Sequence, residues 1–78
     1  MPRGVRQFDK VRVRALLRAA HEYDAWWVNR RPPRFGDLGT VVELLNGEDG
    51  ARRFVVECVG ADGSTLWLSE FCAEGLLL

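Results

Sequence analysis

The chain has 78 residues, 47% apolar and 28% charged, with a formal net charge of zero at pH 7. This length indicates one small domain with little spare stability, and the apolar content excludes intrinsic disorder. The sequence contains no apolar run long enough to predict a membrane span, and no apolar segment follows Met1 that would predict a secretory signal. We therefore expect a cytoplasmic protein of bacterial type that has no membrane partner.

The charge is unevenly distributed along the chain. Residues 1–34 contain nine Lys and Arg against three acids, whereas residues 35–78 contain two Arg against eight acids. Either the first half forms a basic binding face, or strands from the two halves lie side by side and neutralise each other. The two cysteines, Cys58 and Cys72, are too few for a disulfide framework and are predicted to be reduced structural residues.

Alternation of apolar and basic residues predicts the first strand. From Lys10 to Leu17 every second residue is apolar and, apart from Leu16, the intervening residues are Lys or Arg. Period-two alternation is typical of a strand with one wet face, here a basic one. A helix competes, because one helical stripe also connects apolar residues, namely Leu16, Ala20, Tyr23 and Trp27. We expect a flexible terminus at residues 1–7, then a strand to about Leu17. Within Arg18–Val28 we expect at most a short helix.

The segment Arg18–Phe35 is too long for a hairpin and too aromatic for an inert linker, so we expect a functional or packing loop. Its end, Arg31–Arg34, contains two consecutive prolines and is predicted to be extended. This arm leads into a tight turn at Gly36 and Gly39, because both glycines can adopt positive φ.

The remaining chain has the pattern of a β-meander. We predict strands at Gly39–Leu45, Arg52–Val59 and Ser64–Phe71, a helical turn at Cys72–Gly75, and a last strand within Leu76–Leu78. Turn-forming clusters separate the strands at Asn46–Gly50 and Gly60–Gly63. In the third strand we expect Phe54, Val56 and Cys58 to point inward. In the fourth, Leu66 and Leu68 are expected inward, and Thr65, Trp67 and Ser69 outward.

These elements predict an all-β fold: a small SH3-like five-stranded barrel over residues 8–78, with a long first loop and a short helical turn before the last strand. Four stretches resemble a family of small bacterial proteins of unknown function with an SH3-like barrel: Phe8–Val11, Gly36–Glu43, Phe54–Glu57 and Asp62–Leu66. The resemblance implies a fold and no activity. The G-D-L-G-T-V-V-E turn of Gly36–Glu43 also resembles the KOW motif of ribosomal and transcription-factor domains, in which Lys or Arg usually surround the glycine. Here the neighbours are Asp37 and Glu43.

Catalytic and metal-binding patterns are not apparent in the sequence. His21 is the one histidine and has no evident nucleophile as a partner, so we interpret it as a loop residue. His21, Cys58 and Cys72 lack the paired spacing of zinc ligands, and no phosphate-binding glycine loop is present. We expect neither an enzyme nor a cofactor.

Aromatic and basic residues in the long loop are the most informative feature. Trp, Tyr and Arg dominate the residues that carry binding energy in protein interfaces. The candidate partner-binding residues are Tyr23, Trp26, Trp27, Arg30, Arg31, Arg34 and Trp67, with Phe35 beside them. The alternative is that Trp26 or Trp27 plugs an open end of the barrel, and we expect one of the two to do so while the other is exposed.

The sequence therefore predicts a non-catalytic protein-interaction module, either a regulatory adaptor or the immunity half of a bacterial toxin pair. The alternative is a KOW-like nucleic-acid-binding domain that uses the basic N-terminal half. A homodimer is also possible through exposed strand edges or through Trp67.

Overall fold

The computed structural model describes residues 4–78, which form one antiparallel sheet. The sheet is curled into a half-barrel that is compatible with a small SH3-like barrel, so the predicted all-β fold is confirmed. Its order is β4-β3-β2-β1-β5. The strands are β1 (Lys10–Val13), β2 (Leu38–Asn46), β3 (Arg52–Val59), β4 (Thr65–Cys72) and β5 (Leu76–Leu77). The predicted flexible terminus at residues 1–7 lies partly outside the described residues.

The helical turn predicted at Cys72–Gly75 is present as a 3₁₀ helix at Ala73–Gly75. The segment Arg18–Val28, where at most a short helix was expected, contains a 3₁₀ helix at Ala20–Tyr23. The third strand has its predicted bounds, whereas the first ends at Val13 and not near Leu17. Beyond Val13 the chain leaves the β2 ladder, because the backbone amides of Arg14 and Ala15 both donate to the carbonyl of Gly75. The first strand is therefore shorter than its alternation predicts.

The core lies on the concave side of the sheet. On β1, Val11 and Val13 are buried and Lys10 and Arg12 are exposed, as the alternation predicts. The buried cluster consists of Val11, Val13, Tyr23, Val41, Phe54, Val56, Cys58, Trp67, Phe71 and Leu76. The inward prediction for β3 is thus confirmed.

The predicted orientation of β4 is wrong. Trp67 and Ser69 have no exposed surface, whereas Leu66 and Leu68 are only partly buried. Both alternating sets of this strand contain large apolar residues, so alternation alone does not choose between them. The set with the aromatic rings fills the core, where the centroids of Trp67 and Phe71 are 5.7 Å apart.

The two glycines of the central turn have different roles. Gly36 has a φ of 87°, which confirms the prediction of positive φ at this position. Gly39 does not have positive φ and serves a close approach between strands. A Cβ on Gly39 would lie 2.6 Å from Cγ1 of Val56 and 2.9 Å from the carbonyl oxygen of Glu57. The absence of a side chain therefore lets β2 pack against β3.

Candidate interaction surface

Tyr23 fills the core beneath the long loop, and neither tryptophan of that loop does. The Tyr23 side chain is 3% exposed, and its ring centroid lies 5.0 Å from that of Phe71. The Tyr23 hydroxyl accepts a hydrogen bond from the Leu17 amide at 3.1 Å, and the guanidinium carbon of Arg18 lies 4.4 Å above the ring. Trp26 is 41% exposed and Trp27 88%, so the prediction that one of them plugs the barrel is wrong.

Asn29 fastens the loop to the core strand β4. Its Nδ2 donates to the carbonyl of Tyr23 at 3.0 Å and to Oγ of Ser69 at 3.3 Å. Its Oδ1 accepts a 2.8 Å bond from the backbone amide of Leu68. The buried Ser69 hydroxyl in turn donates to the Tyr23 carbonyl at 2.6 Å. These bonds satisfy buried polar groups and fix both Tyr23 and Asn29 against the sheet.

Asp37 fastens the end of the loop. Arg31 donates to both of its carboxylate oxygens, at 2.7 and 3.1 Å. The Trp67 indole N–H and the Arg34 amide donate to Oδ2 at 2.8 and 3.0 Å. Desolvation acts to raise the pKa of Asp37, but the bonds from Arg31, Trp67 and Arg34 outweigh it and hold that pKa below its usual value. The carboxylate is therefore charged at neutral pH and joins the extended arm to the core.

Between Tyr23 and Asn29 the chain forms a small projection, Asp24–Val28, which we call the tip. Asp24 closes it, because its carbonyl accepts a bond from the Trp27 amide at 3.4 Å and its Oδ1 one from the Asn29 amide at 3.3 Å. Trp27 has a φ of 61°, a left-handed conformation that non-glycine residues rarely adopt. The tip therefore exposes an indole on a backbone that is closed at its base.

The long loop also covers the outer edge of β4. The amide of Arg30 donates to the carbonyl of Leu66 at 2.8 Å, and the guanidinium of Arg18 donates to the carbonyl of Glu70. The Leu68 amide is bonded to Asn29 on the same edge. The loop therefore bonds to three alternate residues along the free edge of β4. The loop thus replaces part of a neighbouring strand.

The predicted partner-binding residues fall into two groups. Trp26, Trp27, Arg30 and Arg34 are exposed, whereas Tyr23 and Trp67 are buried in the core. Arg31 is partly buried, and its guanidinium is bound to Asp37. The outward prediction for Trp67 is wrong, because its ring packs on Phe71 and its indole N–H is bonded to Asp37. A homodimer contact through Trp67 would therefore need the core to open.

Asn29, Asp37 and Ser69 hold the site together and were not among the predicted site residues. For Asp37 a local signal exists, because Asp is common in turns where its carboxylate accepts backbone bonds, as it does here from the Arg34 amide. No local signal identifies Asn29 or Ser69. These two residues bond to each other and lie 40 residues apart in the sequence.

Reactive and metal-binding groups are not clustered in this structure. Within residues 4–78 no group of three or more His, Cys, Asp or Glu side chains is placed to hold a metal ion. Cys58 and Cys72 are unpaired thiols, and burial raises the pKa of Cys58. His21 borders a shallow groove of about 290 Å³ beside Asp24 and Arg30. No helix among the described residues is long and apolar enough to cross a membrane.

Fold and surface together define the class: a small all-β module with an anchored loop that presents tryptophan. No protein-family model matches the chain, and no curated protein or solved structure is significantly similar to it. The particular function must therefore be argued from the surface itself.

Proposed function

We propose that this protein is a non-catalytic interaction module that binds a partner protein through the tip, with Trp27 as the central contact. The observation that carries the proposal is the exposure of Trp27, 88%, on a projection whose two ends are fixed by Tyr23 and Asn29. Trp26 and Arg30 are also exposed and supply the surrounding contacts.

The hydrogen bonds at the base of the tip support a binding role. Ordering a loop on binding costs conformational entropy, and a loop already fixed in its bound shape avoids much of that cost. The bonds of Asn29 to Tyr23, Leu68 and Ser69 supply this preorganisation. The left-handed backbone of Trp27 is a strained conformation of the kind that persists at ligand-binding sites.

The composition of the surface supports the same conclusion. A tryptophan brings a large rigid area to an interface, and arginine supplies forked donors and stacks on aromatic rings. In this interpretation Tyr23, Arg31 and Trp67 do not contact the partner. They hold the loop in place from below, through the core and through Asp37.

The test is capture of proteins from a lysate of the source organism on immobilised wild-type protein and on Trp27→Ala. Phe8→Ala is the matched control, because Phe8 lies outside the tip. Its side chain is aromatic and 71% exposed, and like Trp27 it has a positive φ. We expect a stoichiometric partner on wild type and Phe8→Ala, and about thirtyfold less on Trp27→Ala, since truncating a central contact residue costs 2 kcal/mol or more.

Unchanged thermal unfolding of both variants would show that the fold is intact. A partner retained equally by Trp27→Ala, or the absence of any stoichiometric protein on wild type, contradicts the proposal. The identity of the partner then separates a cytoplasmic regulatory adaptor from the immunity protein of a toxin pair.

A further inference from the structure

The convex side of β1 presents a second surface, distant in sequence from the tip. Lys10 and Arg12 are exposed there and lie two residues apart, a separation of about 6.7 Å along a strand. The register places Thr40 opposite Lys10, and Leu38 and Leu77 on either side of Arg12. We call this surface the β1 strip.

The cations of the β1 strip are not neutralised by acids. Nζ of Lys10 donates to Oγ1 of Thr40 at 2.8 Å, and one guanidinium nitrogen of Arg12 donates to the carbonyl of Gly36 at 2.9 Å. Both acceptors are uncharged. In the described part of the chain neither cation forms an ion pair, and the same holds for Arg34, an exposed arginine that directly precedes Phe35 in the sequence. The strip therefore keeps positive charge and unused donors, although the chain as a whole is neutral.

An exposed phenylalanine lies at each end of the strip. Phe8, 71% exposed, precedes β1, and its amide donates to the carbonyl of Val41. Phe35, 77% exposed, is next to Gly36, whose amide donates to the carbonyl of Val13 at the other end of β1. Exposed phenyl rings with no polar group of their own are suited to stacking.

A shallow groove of about 300 Å³ crosses β2, from Lys10 on β1 to Val59 on β3. Leu38 on β2 also lines it. Glu57 is the acid in this lining, and its Oε2 accepts a 2.6 Å bond from the hydroxyl of Thr65. The strip thus combines cations with an apolar floor, and an exposed phenylalanine adjoins each end of β1.

We propose that the β1 strip binds single-stranded nucleic acid, with Lys10, Arg12 and Arg34 on phosphates and Phe8 and Phe35 stacked on unpaired bases. A cationic track with aromatic platforms is the arrangement that binds single strands with little sequence preference. An acidic polypeptide would satisfy the cations but would leave the two phenyl rings without stacking partners. The proposal assigns no phosphate contact to the turn Gly36–Glu43, which contains the acids Asp37 and Glu43.

The test is fluorescence anisotropy of labelled octauridylate and octathymidylate with the full chain, between about 50 and about 200 mM salt. Three phosphate contacts predict a slope of log K against log salt of about −2, at 0.7 per contact for single strands. The double variant Lys10→Gln/Arg12→Gln should reduce this slope by about 1.4 and weaken binding about tenfold or more at low salt. Arg52→Gln is its control, an exposed arginine at the start of β3.

The aromatic ends give an independent readout. Phe8→Ala and Phe35→Ala should each weaken binding about tenfold while leaving the salt slope unchanged, because stacking neutralises no phosphate. Trp27→Ala is the matched aromatic control and should bind the oligonucleotide like wild type. Phe8→Ala is therefore a test variant in this assay and the control in the capture of a protein partner. For Trp27→Ala the reverse holds.

The proposal would be overturned by no saturable binding to either oligonucleotide, by equal weakening in Arg52→Gln, or by no effect of the two phenylalanine substitutions. Displacement of the labelled strand by polyglutamate as effectively as by unlabelled oligonucleotide would also overturn it, and would assign the strip to an acidic protein.

Discussion

The indole N–H of Trp67 donates a 2.8 Å hydrogen bond to the carboxylate of Asp37, 30 residues away in the sequence. The bond connects the centre of the core to the end of the long loop. The ion pair of Asp37 with Arg31 extends the connection to the proline arm. Loop position and core packing therefore depend on each other, and substitutions on either side of this bond should affect both.

Trp67→Phe separates the hydrogen bond from the burial of the ring. Phe keeps the aromatic contact with Phe71 but removes one of the three donors to Oδ2 of Asp37, so we expect the free energy of unfolding to fall by about 1–2 kcal/mol. Trp67→Ala should cost about 3–5 kcal/mol, because it also creates a cavity. Urea denaturation measures both. Trp27→Phe on the surface should change stability by less than about 0.5 kcal/mol, and equal losses at the two tryptophans would contradict the assigned burial.

Asp37→Asn should remove part of the pH dependence of stability. The pKa of Asp37 in the folded protein is below the unfolded reference of 3.8, so its charge stabilises the fold above that pH. This stabilisation is lost as the pH falls through the folded value. The difference in unfolding free energy between wild type and Asp37→Asn should therefore be largest near neutral pH and shrink below pH 3.8. A difference that is constant with pH, measured by urea denaturation across the acid range, would contradict the assignment.

Alanine substitutions at the two turn glycines should act by different mechanisms. Gly39→Ala places a Cβ 2.9 Å from a backbone oxygen of Glu57, which a side-chain rotation cannot relieve. We expect a loss of about 1–3 kcal/mol from overpacking. Gly36→Ala meets open space but forces alanine to a φ of 87°, which should cost about 1 kcal/mol. Chemical denaturation ranks the two variants, and a larger loss at Gly36 would be inconsistent with the packing described.

Asn29→Ala should loosen the tip without unfolding the sheet. The substitution removes the acceptor of the Leu68 amide and a donor to Ser69, at a cost of about 1–3 kcal/mol. Amide hydrogen exchange should accelerate at Leu68 and Arg30 and stay slow in β3, because local opening does not require global unfolding. Asn46→Ala, at an exposed position at the end of β2, is the control. Uniform acceleration throughout the sheet would show that Asn29 supports the whole fold.

Local sequence signals predicted most of the strand framework. The alternation over Arg52–Val59 defines β3, and the Asp-Gly pair of Asp62 and Gly63 defines the following hairpin, where Gly63 has a φ of 84°. These features depend on neighbouring residues, whose periodicity and turn chemistry are visible in the sequence. The basic face of β1 was predicted in the same way.

The anchors of the loop and the inward face of β4 were not predictable by such signals. Leu68 and Trp67 occupy opposite faces of β4, and either set could fill a core on apolarity alone. The choice depends on Asp37, which supplies an acceptor for the indole, and on Asn29, which satisfies the buried Ser69. Both are long-range contacts. Sequence patterns singled out the two tryptophans of the tip and the exposed Arg30 and Arg34 but could not show which aromatic residues the core would retain.

The bonds from the long loop to Leu66, Leu68 and Glu70 have a consequence for the association of folded molecules at high concentration. An open strand edge is a template on which another chain can add a strand, and such addition is a route to aggregation. Here an incoming strand would first have to displace Arg18, Asn29 and Arg30 from β4. The loop that projects the tip therefore also hinders strand addition at the β4 edge of the sheet.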